Sequence, residues 1–209
     1  MSVASFSDDV LGRCAALGER SDEELGADQL GMLDVHATRD RATLRTWAKR
    51  AHSYGEELGA SAAAEPGFPG AGERLQVREA DGGIEVGRIL LAEYLSRPAS
   101  VVLHRDALTL AEELIDVLGW QGWYPPGSVR KAALAHEYAH EQLQRPNRRE
   151  LKNRIGYVAV RLGHWQLHGH VVGADEIAAH GYAKERVGLG RSPLALTAAL
   201  GEIAATGRG

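Results

Sequence analysis

The chain has 209 residues, 44% hydrophobic and 25% charged, the balance of an ordinary globular protein with one main domain; disordered and collagen-like architectures are excluded. Its formal net charge is −4 and its basic residues form no long block, so attraction to a phosphate backbone is a poor founding hypothesis and a nucleic-acid partner is not expected. The single cysteine, Cys14, precludes an internal disulfide and fits a reducing compartment. The first residues show no basic segment followed by an apolar one, and no run of 18 apolar residues occurs. A cytoplasmic protein with no membrane partner is therefore the expectation.

Residues 5–59 read as two or three helices, with Leu11, Leu17, Leu25, Leu30, Leu33, Leu44, Trp47 and Leu58 compatible with a 3.6-residue period. Ser21 followed by Glu24 is a capping-box pattern. Arg39, Arg41, Arg45, Lys49 and Arg50 form a basic series, the only feature favouring a DNA-binding helix pair. Acidic Asp22, Glu23, Glu24 and Asp28 lie close in sequence, and a solvated helix face is the simpler account. Gly59 to Gly72 is aperiodic and rich in Gly, Ala and Pro. The chain is accordingly divided into an N-terminal helical region (1–60), a linker or long loop (61–72) and a larger α+β domain (73–209).

Within the larger domain, Arg74 to Glu79 alternates, an Asp-Gly turn follows, and Ile84 to Leu91 resumes, which predicts a hairpin. Ala99 to His104 suits a third strand, and Asp106 is a candidate cap for a helix over Leu108 to Leu118. After the aromatic segment holding Trp120, Trp123 and Tyr124, either a cleft wall or a hydrophobic plug, Ser128 is expected to cap a helix ending near Arg145, before Pro146. Asn147 and Glu150 are expected to cap the next helix, drawn through Leu162. Another is expected from Ala174 to Val187, stopped by Gly188, and Ser192-Pro193 opens the last.

Nine histidines are present, and six of them, His136, His140, His164, His168, His170 and His180, fall within 45 residues. His136-Glu137-Tyr138-Ala139-His140 is an HExxH motif in a helix made apolar by Val129, Ala132, Ala133, Leu134 and Leu143. Residues i and i+4 share a helical face, so both imidazoles reach one metal ion, and Glu137 lies close enough to hold a bound water. Composition alone yields roughly 0.03 copies of such a motif by chance. Packed structural histidines are the competing account, but an unpaired ring in apolar surroundings is costly.

Hydrolysis at a zinc ion needs a third protein ligand and an open position for water. Glu176, early in the helix from Ala174, is the leading candidate. The rivals are His164, His168 and His170, although Gly163 and Gly169 favour a loop there, with one of these histidines available to hold an oxyanion. Glu150 is assigned to capping. Tyr138 faces away from the metal side, and the phenols of Tyr157 and Tyr182, although able in principle to stabilise a tetrahedral intermediate, fall on apolar helical faces and are expected to pack.

HExxH followed by Glu176, Ala179, His180, Tyr182 and Ala183 resembles the gluzincin branch of zincin metallopeptidases, especially small intracellular domains related to phage-repressor-cleaving metallopeptidases. The resemblance covers about Ala99 to Leu200 and leaves residues 1–70 unexplained. It implies that His136, His140 and Glu176 bind zinc and that Glu137 is general base and later acid. His180 stands where the family usually has Asp or Asn, a position that supports a ligating histidine. The resemblance also implies an edge strand beside the cleft for substrate pairing, with Ser100 to His104 as the matching segment. The function it implies is zinc-dependent hydrolysis of a protein or peptide. The alternative is a zincin-fold module that keeps the metal, cleaves nothing and acts on a protein partner.

Overall fold

The computed structural model describes residues 3, 6–63, 76–97, 99–143, 146–163 and 165–206. Helices α1 (Asp8–Gly18), α2 (Asp22–Gly31) and α3 (Arg41–Ala63) occupy the N-terminal region. The capping box forms: Glu24 N donates to Ser21 Oγ at 3.3 Å, and Ser21 N donates to Glu24 Oε2 at 3.1 Å. Three of the five basic residues, all on α3, pair with acidic residues of α2: Arg41–Asp28 (2.7 Å), Arg45–Glu24 (3.8 Å) and Lys49–Glu23 (2.7 Å). Of the expected linker, residues 61–63 complete α3, and 64–72 lie outside the described residues.

Strands β1 (Gln76–Ala80), β2 (Ile84–Glu85), β3 (Arg88–Ile89), β4 (Ala92–Ser96) and β5 (Ala99–His104) follow. The hairpin expected over Arg74–Leu91 does not form: β1 runs parallel to β5, β4 is antiparallel to β5, and β2 pairs only with β3. The turn after β1 is tied elsewhere. Asp106 accepts from the backbone N–H of Gly82 (3.0 Å) and Gly83 (3.1 Å), binding the turn to the start of α4 (Arg105–Leu118). Asp106 therefore tethers a loop rather than capping α4, whose cap position is His104. β5 lies in the middle of the three-stranded sheet, so the expectation that Ser100–His104 is the cleft's edge strand is corrected. β4 is the edge.

Helix α4 buries Ala107, Leu110, Ala111, Leu114 and Ile115, one stripe at helical spacing. α5 (Ser128–Gln142) carries HExxH; it is entered through Gly127 at φ 74°, so Gly127 and not Ser128 is the cap residue. α6 (Asn147–Ile155) ends seven residues before the expected Leu162. Asn147 Nδ2 instead donates to Gln142 O, the end of α5, and Glu150 pairs with Arg154. Val158–Leu162 (β6) is a strand, paired antiparallel with β7 (Trp165–His168). Tyr157 precedes that strand and lies off any helix, with its ring 5.2 Å from that of Trp47. α7 (Ala174–Val187) and α8 (Leu194–Thr206) close the chain, α7 stopping at Gly188 with φ 72°.

The fold is mixed α+β, with most of its core between helices. Buried residues from both sides of the 61–72 segment form one cluster, including Leu30, Trp47 and Ala51 with Leu114, Ile177 and Leu200. α7 sits between α3 and α5. The α3–α7 contact is close because glycine faces backbone: a Cβ on Gly55 would lie 1.9 Å from Ala178 O, and one on Gly181 would lie 2.2 Å from His52 O. No described helix is long and apolar enough to cross a membrane.

Candidate metal centre

His136 and His140 project from one face of α5, and Glu176 meets them from the first turn of α7. His136 Nε2 is 3.2 Å from Glu176 Oε2, His140 Nε2 is 3.4 Å from Glu176 Oε1, and the two Nε2 atoms are 3.3 Å apart. One ligand atom from each residue falls within 4.8 Å of the others, the only such group among the described residues. Three basic atoms aimed at one point need a proton or a cation between them, and a two-nitrogen, one-carboxylate set suits zinc.

Ionisation matches that need. The Glu176 carboxyl is held well below the usual carboxylate range by hydrogen bonding to His136 and then His140, against the opposing effect of burial. Burial disfavours a charged His140, but the Glu176 carboxylate outweighs it and raises the imidazole above its ordinary value. Glu137 is pushed up by burial, only partly offset by the neighbouring histidines and the backbone N–H of Tyr94. His180 is held far below the ordinary range, first by burial and then by His136. Its ring centre lies 4.5 Å from that of His136.

His136, Glu137, His140, Glu176 and His180 line one cavity of about 580 Å³. Its wall also includes Leu90 to Tyr94 leading into and along edge strand β4, Val129, Ala132 and Ala133 on α5, Leu196, Thr197 and Leu200 on α8, and Gln29 on α2. Tyr124 contributes to this wall while its hydroxyl donates to Ser192 O at 2.6 Å. Trp120 packs against Gly18, and Trp123 lies under the Arg191 guanidinium. The aromatic segment thus supplies one cleft residue and two packing residues.

The remaining candidates fall elsewhere. His168, on β7, has its Nδ1 3.5 Å from Asn153 Oδ1, and neither it nor His170 lines the cavity. His164 lies outside the described residues. Tyr182 is fully buried, with its ring 6.2 Å from that of Tyr138, and is not part of the cavity wall. Sequence reasoning missed Tyr94 and the α8 residues; no motif marks them, since their place at the cleft follows from strand order and helix packing. Comparison with protein-family models, curated proteins and solved structures found no match.

Proposed function

We propose that this chain is a zinc-dependent peptidase of the gluzincin type, with residues 73–209 as its zincin-like part and a protein or peptide as substrate. The observation that carries the reading is the convergence of His136 Nε2, His140 Nε2 and the Glu176 carboxylate on one point of a cavity wall, with Glu137 on the same wall. His136, His140 and Glu176 would hold the zinc, which would lower the pKa of a bound water towards about 7 and polarise a carbonyl. Glu137, its carboxyl raised by burial, accepts the proton of the attacking water and delivers it to the leaving amine nitrogen as the C–N bond breaks. Edge strand β4 borders the cavity, the place from which an extended peptide joins a sheet.

Zinc content and peptide cleavage, measured on the wild type, His136→Ala and Glu137→Gln, test the reading. Stoichiometric zinc is expected in the wild type and Glu137→Gln and is lost in His136→Ala; cleavage falls by about 10²-fold or more in Glu137→Gln. A wild-type protein that takes up no zinc overturns the proposal. Zinc uptake without Glu137-dependent cleavage of any peptide in a diverse pool leaves the non-catalytic metal-binding module instead.

A further inference from the structure

A second hollow, of about 320 Å³, adjoins the metal-lined cavity, and Gln29 of α2 and Glu176 of α7 line both. Its wall also includes Leu30 and Leu33 from α2, and Val172 and Asp175 where the chain enters α7. These parts are tied together: His36, in the turn after α2, has Nε2 2.9 Å from Val172 O, and a Cβ on Gly173 would stand 2.9 Å from Leu33 Cδ1. The N-terminal helical region, to which the HExxH motif gives no role, thus builds one end of the cleft. Two polar side chains in this wall are left without a partner. Gln29 and Asp175 are both half-buried, and neither side chain makes a hydrogen bond or ion pair with another described residue. Asp175 is also close enough to act on His140 through its charge.

We propose that this hollow takes a lysine or arginine side chain of the substrate, its stem along Leu30, Leu33 and Val172 and its cationic head at Asp175, while Gln29 holds the substrate main chain between the hollow and the metal. A carboxamide offers one acceptor and two donor hydrogens, the complement of the N–H and C=O of an extended chain. A long basic side chain matches both parts of the hollow, since its hydrocarbon stem covers apolar surface and its head pairs with a carboxylate. An aliphatic side chain would cover the apolar part and strip water from an unpaired carboxylate, which is costly, and an acidic one would be repelled. The substrate, an extended polypeptide that reaches past the metal, is taken from the peptidase reading, on which this assignment rests.

Binding, measured apart from cleavage, gives the test. The full chain carrying Glu137→Gln is titrated with fluorescent alanine-based peptides that bear lysine, norleucine or glutamate at each position in turn, and its zinc content is measured separately. At one position lysine is expected to bind about tenfold more tightly than norleucine, and glutamate more weakly than either. Adding Asp175→Asn should remove the lysine preference. Adding Val172→Lys, at a site 46% exposed and so tolerant of substitution, should turn it into a preference for glutamate. Gln29→Met should weaken every peptide that reaches the hollow by about fivefold, whichever residue is scanned. The absence of any position at which lysine beats norleucine overturns the proposal, and so does a lysine preference that survives Asp175→Asn. Unchanged affinity in Gln29→Met removes the main-chain contact. If Asp175→Asn fails to fold, Val172→Lys decides. A wild-type chain that takes up no zinc sinks the peptidase reading, whereas the lysine preference is read from binding and stands or falls by itself.

Discussion

The α3–α7 contact and the β6–β7 hairpin invert the usual relation between residue type and burial. Where α3 meets α7 the chain is built of Gly55, Gly59, Ala178, Gly181 and polar His52 and His180, yet the backbones all but touch. The hairpin pairs Val160 with Leu167 and Leu162 with Trp165. These four are 46%, 61%, 71% and 71% exposed in that order. Cross-strand pairing and a two-residue period put them on one face of a two-stranded ribbon, a structure with little else to hold it. Hydrophobicity alone therefore does not say what is buried here. Burial follows from whether an element has a partner close enough to exclude water, and small residues allow the closest approach.

The sharpest way to break that contrast is to widen the helix contact. Gly55→Val places a side chain 1.9 Å from Ala178 O, and a loss of about 4 kcal/mol or more is expected in urea unfolding, with loss of zinc because Glu176 moves with α7. A cost below about 1 kcal/mol would show that the helices part easily.

A smaller effect is expected from pH. The Glu56 carboxyl is lowered from 4.5 to about 2, first by the hydrogen bond from His52 and then by that from Lys184, with burial opposing both. Because the folded value lies below the unfolded one, its contribution is complete above about pH 5 and is lost as pH falls towards 2. That contribution is about 1–2 kcal/mol after allowance for the 27% exposure of the side chain. Unfolding free energies of wild type and Glu56→Gln, compared across this window, should converge at the acid end; a constant gap would refute the ion-pair account.

The smallest effect belongs to the hairpin. Leu162→Lys with Trp165→Lys should change stability by no more than about 0.5 kcal/mol and leave zinc content unaltered. A loss of about 2 kcal/mol would mean that this apolar face is covered in solution.

Much of the candidate site was legible in the residue order. HExxH on a helix states which face two imidazoles share, and Gly188 marked the end of α7 correctly. The hairpin was misread because Val158, Val160 and Leu162 satisfy a two-residue period as well as a continued helix, and Gly156 at φ 70° had already ended α6. Asp106 and Ser128 have cap chemistry but other surroundings: one carboxylate is taken by two loop N–H groups, and the other residue follows a left-handed glycine. The edge strand was misplaced because strand order is a property of pairing between distant segments, and composition along one segment does not carry it.

By itself the sequence determined what depends on near neighbours: an α+β chain, the capping box at Ser21, the helix bearing His136 and His140, and the span of α7. Tertiary structure alone decided which distant groups meet: Glu176 rather than His168 or His170 at the two imidazoles, β4 rather than β5 at the cavity-side edge, and Gly55 of α3 against Ala178 of α7. Helical periodicity acts over a few residues and leaves its mark in their spacing, whereas those contacts join residues far apart in the chain and arise only when the elements pack.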